Sequence, residues 1–561
     1  MNLLRIIIGY KDIFNDTSYD IIDYLAGIDK EVLIENALIY CSLSTILEPS
    51  LENIYYPFFI ESNKQTEYYN NLKNKITDIA RESKVTPVIL NIRSSLNFFE
   101  LVQSVESTCH INYSETDIKE RLLNAYLLIN DRNSKEITDF SDQRDINEIL
   151  LENALSHSLY SKTNLYYLSL RVAEMVKSCL FLSYCQENFP KHMDAFLEKY
   201  GLKNWQEYIN FVHQIGKLII ERSKEEPLFS IIIPKEDKDF EKKAFFLDNF
   251  CLNDTYDKDA DFTKIKASPV YKDTNSGSYY VIFEQFFVEK MYKGLYFIFN
   301  SINDSLKGSG DFIKNFRSEI GFNFSEKVLL NRIIKDSIGN KYKHLSYREL
   351  TRNGAPDYYI RDGKYVLLFE CKDNLVKKEV IENNDFKLFV DELRYLFVEN
   401  EKGKDKALKQ LIHNIVSIRN GEFLEDAGIK CNTSVIYPII VTHHAIFSLV
   451  GLNLLLNDWF FEELEKQGLN KIDVKNPTII NINTLILLQD FLPQKNFSLR
   501  SLIDSYWIEY QIFTTKKFQT PVDVINERYR VSMSFDDYIE SKLSNVHLPL
   551  KKFIKYREYF D

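Results

Sequence analysis

The stretch PDYYIRDGKYVLLFECK, residues 356–372, constrains the fold more than any other part of this chain. It holds two strand-like runs around Asp362-Gly363. That dipeptide signals a two-residue hairpin, because a type I′ turn needs positive φ at both central positions. The second run, YVLLFECK, is apolar almost throughout instead of alternating. Such a strand is buried on both faces, so its sheet needs helices on either side. The neighbouring sequence supplies them. FSEKVLLNRIIKDSI precedes the hairpin, and DFKLFVDELRYLFVEN, DKALKQLIHNIVSIRN and GLNLLLNDWFFEELEKQG follow, all with helical spacing. SVIYPIIVTHH and PTIININ read as two more strands. The order predicts an α/β layer structure in the C-terminal half.

The hairpin also places charge. With Asp362-Gly363 as the loop, Arg361 pairs with Lys364 and Asp357 lies opposite Leu368. Alternation then puts Asp357, Glu370 and Lys372 on one face, with Glu370 the diagonal neighbour of Asp357 at a Cα separation of roughly 7–8 Å. A one-residue slip would separate them. Two hard carboxylates leaning on one point suit Mg²⁺, which takes one or two carboxylates plus waters and a substrate phosphate. Mn²⁺ is the expected substitute, and the carbonyl of Cys371 is a candidate further ligand. Such an ion activates water and polarises a scissile phosphate. Lys372 is placed to orient that water or to balance charge. A Glu and a Lys ending an apolar strand need partners, since burying unpaired charge is costly. The bland reading of the same three residues is a structural ion-pair cluster.

Asp357, followed by Glu370-Cys371-Lys372, resembles the PD-(D/E)xK superfamily of restriction-type and repair nucleases. The resemblance spans about residues 320–490. It implies a restriction-endonuclease-like core, Mg²⁺ held by Asp357 and Glu370, and Lys372 assisting the attacking water. It also implies an acidic residue on the preceding helix, for which Glu326 fits, with Ser325 as N-cap, and a Gln on a later helix, for which Gln410 stands. The exonuclease-type pattern has a Tyr four residues after that Gln, where this chain has Asn414. Glu326 reads equally as a first-turn acid suited to the helix macrodipole, and Gln410 as a packing residue. Lys377, Lys378, Lys404, Lys406 and Lys409 are candidate phosphate contacts, or a solvated face. Cys371 is expected to turn its thiol away from the carboxylates. His443-His444 end a strand and read as a satisfied loop pair or a metal or acid–base pair.

The rest of the 561 residues divides, by pattern, into a mainly helical recognition or regulatory region over 1–230, a mixed α+β segment over 231–310 with a β-hairpin, the nuclease domain over 311–500, and a mixed extension over 501–561. Gly308-Ser309-Gly310 marks one boundary. The net charge of −11 sits in the N-terminal part. Residues 321–561 carry 34 Lys+Arg and 33 Asp+Glu, leaving −12 on the first 320. A near-neutral half can still offer a basic groove. Seven scattered cysteines without a C-x-x-C pair suit a reduced, cytoplasmic protein and argue against a zinc knuckle. Residues 431–457 lack charge, but Pro438, His443, His444 and Asn453 interrupt them, so a strand and a helix are expected and no membrane span.

The function expected is a Mg²⁺-dependent endonuclease-type hydrolase of phosphodiester bonds, DNA favoured, of the kind used in restriction or antiviral defence. The N-terminal half would bind a protein partner or a second copy. The alternatives are a catalytically silent nucleic-acid- or partner-binding protein on the same fold, or a nuclease subunit gated by a partner.

Overall fold

The computed structural model describes the chain apart from residues 1–4, 15–19, 47–53, 57, 60–65, 84–85, 106–110, 134–150, 152–167, 222–227, 253–261, 384, 470–472, 515–531, 544–550, 552–555 and 557–561. It is a mixed α/β protein, helical in its N-terminal half and with a mixed sheet in its C-terminal half. Two compact units form, each from two stretches of chain. One is Met1–Gln143 with Phe211–Lys290; the other is Arg144–Asn210 with Met291–Asp561. The boundary expected at Gly308-Ser309-Gly310 thus lies inside the second unit.

In the first unit, helices Lys30–Ile46, Ile92–Ser104 and Glu115–Asn133 surround a parallel pair of strands, β1 (Arg5–Ile7) and β2 (Thr86–Val88). A second sheet has β3 (Ser230–Ile231), β4 (Val270–Lys272) and β5 (Tyr279–Val281) in the order β3-β5-β4. Its β4–β5 arm is the hairpin expected around TNSGS.

The second unit holds β6 (Lys343–Leu345), β7 (Tyr358–Asp362), β8 (Tyr365–Lys372), β9 (Val435–Thr442) and β10 (Thr478–Asn481). Their order is β10-β9-β8-β7-β6. β6, β7 and β8 are antiparallel; β8, β9 and β10 are parallel. β8 is central, and Val366, Leu368, Phe369 and Cys371 are fully buried. Burial of each such large side chain is worth about 1.5–3 kcal/mol. One sheet face, with Tyr359, Val366, Leu368, Ile436 and Ile440, packs under helices Phe386–Phe397, Ala407–Arg419 and Leu452–Lys466. On the other, Ile360, Leu367 and Phe369 line an apolar cavity with Ile334, Ile338 and Leu485. β9 carries Pro438 although it is an interior strand. The Ile436 N–H is taken by Asp473 O, so the alternate position, Pro438, faces the edge where β10 has not begun; Thr478 first pairs with Ile439. The missing N–H therefore breaks no ladder bond.

The β7–β8 turn differs from expectation. Asp362 pairs with Tyr365, so the loop is Gly363-Lys364. Gly363 has φ 61°, and Lys364 is not among the positive-φ residues. One positive φ at the first loop position is the type II′ pattern, which needs glycine there and leaves Asp362 in the strand. The register moves by two residues, so Tyr358 lies opposite Phe369 and not Leu367. An even shift preserves which side chains share a face.

The segment 320–338 also differs. A short helix starts at Phe316, and Ile320–Leu330 continues it with i→i+5 bonding before Asn331–Ile338 returns to α. Ser325 is therefore inside a helix and buried, not its N-cap.

Candidate functional site

The site forms where β7 begins and β8 ends. Extended by one residue, the observed register sets Asp357 beside Glu370. Asp357 N–H donates to Phe369 O (2.9 Å), and its Oδ2 accepts the Cys371 N–H at 2.7 Å. Glu370 is among the groups that act on the Asp357 carboxyl. Lys372 Nζ lies 3.1 Å from Glu370 Oε2. Glu370 is 2% exposed, so this is a buried charge cluster.

Its electrostatics follow from burial and crowding. Burial, then Asp357, pushes the Glu370 carboxyl up to about 8. Burial, then Asp357, does the same to Glu326, also to about 8. Asp357 is raised as well, by burial, against the pull of Lys372. Burial opposes the Lys372 ammonium, yet Glu370, Asp357 and Glu326 outweigh it and hold Lys372 above its ordinary value. Three carboxyl groups thus converge on one lysine, and one cation does not neutralise all three. The i→i+5 stretch is what delivers Glu326 here; such bulges are frequent at functional sites.

Cys371 turns its thiol to the opposite side, 3.3 Å from His443 Nε2. Burial pushes the thiol up and His443 down to about 4, so the pair is neutral near pH 7. His444 Nε2 lies 3.4 Å from Asp373 Oδ1. Asp373 also accepts from Arg317 Nη2 (2.7 Å) and Ser325 Oγ (2.6 Å). Burial would raise this carboxyl, but His443, His444 and Arg317 hold it well below the usual range. Both histidines are therefore built into the packing beneath the motif strand. Asp373 and Arg317 were not singled out from sequence, and Ser325 was read there only as an N-cap. The available signal was a third charged residue, Asp373, directly after Glu370-Cys371-Lys372 at the end of a buried strand.

The remaining candidates separate. Gln410 is half-buried on helix Ala407–Arg419, with Oε1 shielded and without a hydrogen-bond partner. Asn414, one turn on, donates to Gly354 O (2.9 Å) and accepts from Arg352 (2.7 Å), which ties this helix to the loop leading into Asp357. Lys409 pairs with Glu399 and approaches Asp405 and Glu463. Lys377 pairs with Glu392 at 3.2 Å. Lys378 opens helix Lys378–Asn383 and is exposed. Lys406, half-buried, is lowered by burial and by the charges of Lys372 and Lys404. Among the described residues, no three His, Cys, Asp or Glu side chains form a metal cage by themselves. No described helix is long and apolar enough to cross a membrane. Comparison with protein-family models, with curated proteins and with solved structures finds no match to this chain.

Proposed function

We propose that this chain is a Mg²⁺-dependent nuclease that hydrolyses phosphodiester bonds, DNA favoured, on a restriction-endonuclease-like core. The observation that carries the reading is the convergence at the end of β8: Asp357 Oδ2 on the Cys371 N–H at 2.7 Å, and Lys372 Nζ 3.1 Å from Glu370 Oε2. The donor set fits the ion. Mg²⁺ asks for one or two protein carboxylates and fills its other positions with water and phosphate. Carboxyls raised by burial and mutual repulsion are what a divalent cation would relieve.

Asp357 and Glu370 would hold the ion, with the Cys371 carbonyl as a further oxygen. When bound, it supplies Lewis-acid polarisation of the phosphate and a more acidic water. Asp357 is fixed by the Cys371 N–H, so its free oxygen is aimed without searching rotamers. Glu370 positions Lys372, whose ammonium orients the attacking water and offsets negative charge on the phosphorane-like transition state. Glu326, whose carboxyl burial and Asp357 raise, would support that water through hydrogen bonding.

The test is cleavage of plasmid, linear duplex, single-stranded DNA and RNA with Mg²⁺, Mn²⁺ or EDTA, wild type beside Glu370→Gln. Metal-dependent cutting that vanishes in the variant supports the reading and names the substrate. Cutting that survives the substitution would assign the activity elsewhere and sink it.

A further inference from the structure

Strand β9 is built of apolar residues and Tyr437, and ends on Thr442. The parallel register sets Thr442 directly beside Lys372, as it sets Ile440 beside Glu370. Registered partners on adjacent strands stand about 4.8 Å apart, whereas residues two apart along one strand stand about 6.6 Å apart. Thr442 is therefore nearer the root of the Lys372 side chain than Glu370 is. Alternation puts Thr442 and Lys372 on one face. Leu368, Ile436 and Ile440 pack in the same core on that side, and Cys371 meets His443 at 3.3 Å on the other. Thr442 is fully buried, and its Oγ1 has no hydrogen-bond partner among the described residues. An unpaired buried hydroxyl is costly, and such groups are few in folded proteins. Valine, the residue just before it, would form the same strand without that cost.

The hydroxyl has a use once a divalent cation is held. Lys372 Nζ leans back along β8 onto Glu370 Oε2 at 3.1 Å. A cation on Glu370 draws on the same carboxylate and repels the ammonium, because like charges a few ångströms apart inside a protein interact strongly. The Lys372 side chain is 14% exposed, so water offers the displaced ammonium little. The neighbouring acceptor on the same face is Thr442 Oγ1, met by turning the lysine stem from along the strand to across it. A hydroxyl suits the task, since it accepts from an ammonium and brings no charge of its own.

We propose that Thr442 is a positioning residue: its Oγ1 accepts a hydrogen bond from Lys372 Nζ when Mg²⁺ is held by Asp357 and Glu370, and so fixes the ammonium for its work on the attacking water. This rests on the nuclease reading. The experiment is isothermal titration of Mg²⁺ into the full chain without nucleic acid, followed by initial-rate kinetics. The proteins are wild type, Thr442→Val and Thr442→Ser, with Glu370→Gln as the blank for adventitious Mg²⁺. Thr442→Val keeps the branched shape and removes only the hydroxyl. In EDTA it should melt at or above the wild-type temperature, because the hydroxyl it loses has no partner there. It should bind Mg²⁺ about tenfold more weakly, the scale of one hydrogen bond to a charged group. Its kcat should fall by a similar factor, with KM for nucleic acid unchanged. Thr442→Ser should restore both. A Thr442→Val protein that binds Mg²⁺ as wild type does, or melts lower in EDTA, overturns the proposal and leaves the nuclease reading standing. Wild type that binds Mg²⁺ no better than Glu370→Gln overturns both. Wild type whose Mg²⁺ binding is weakened in Thr442→Val, yet which cuts no substrate, bears out the hydrogen bond and sinks the nuclease reading alone.

Discussion

Ser325 Oγ donates to Asp373 Oδ2 at 2.6 Å, joining the helix that carries Glu326 to the residue after Lys372. Ser325 is fully buried, and Asp373 also takes Arg317. The bond therefore sets the distance between Glu326 and the end of β8. Ser325→Ala should cost about 1–2 kcal/mol, a buried hydrogen bond with one partner left behind. Urea unfolding measures the loss. If the latch positions Glu326, cleavage should fall by more than the small change in folded fraction accounts for. A stability loss with unchanged rate would make the bond purely structural.

Lys372 stands among three carboxyl groups, and the two substitutions that remove or keep its charge should differ. Lys372→Met should lower the cleavage rate on the order of 10²-fold or more, the usual size of a lost proton-transfer or charge-balancing group. The protein should still fold near pH 7, because the raised carboxyls can remain protonated. Lys372→Arg should retain part of the rate. Initial rates at saturating Mg²⁺ decide it, and a Lys372→Met protein as active as wild type would remove Lys372 from the mechanism.

The metal-free protein should lose stability as pH rises. Glu370 and Glu326 are held at about 8 in the fold, against the ordinary glutamate value in the unfolded chain. The folded state thus binds more protons than the unfolded state in this window. Their favourable contribution is complete below about pH 4 and disappears as pH climbs through about 8. Thermal melts in EDTA at about pH 6.5 and about pH 9 should show a larger drop for wild type than for Glu370→Gln. Added Mg²⁺ should restore more stability at the higher pH. Equal drops in the two proteins would contradict the assignment.

Asp426 clamps the far end of β7. It accepts from Tyr359 Oη (2.8 Å) and from Arg361 Nε (2.5 Å) and Nη2 (3.2 Å). Asp426→Ala should cost about 2 kcal/mol; the Arg361 side chain is 23% exposed, so water compensates part of the loss. Gly428 lies against the same guanidinium: a Cβ there would stand 2.5 Å from Arg361 Nη2. Gly428→Ala should therefore destabilise, by less than Asp426→Ala, because the tip of an arginine can shift. Denaturant melts of the two variants test the order.

Much of this arrangement is legible in local patterns. The apolar run of residues 365–371 specifies a strand buried on both faces, and the observed β8 is one. Gly363 marks the hairpin, and alternation puts Glu370 and Lys372 on one face. The helices before and after follow from apolar spacing. The turn was legible only in part. Asp-Gly and Gly-Lys both make two-residue loops, and the choice depends on where Asp362 and Tyr365 end up in the assembled sheet. An even shift of register left the carboxyl pairing intact and brought Asp357 closer to Glu370 than a diagonal.

The sequence by itself determined which residues lie on which strand and face, because period and turn chemistry are set by neighbours along the chain. Tertiary structure alone decided the rest. It threads i→i+5 bonding through Ile320–Leu330 and sets the buried Ser325 of that stretch against Asp373. It assigns carboxylate partners to Lys377 and Lys409 and, among the described residues, none to Lys404 and Lys406, although the four look alike in sequence. It brings Arg317, Ser325 and His444 onto Asp373 from 48 to 71 residues away along the chain. Such pairings depend on distance in space, and burial then sets their strength; neither quantity is encoded in local spacing.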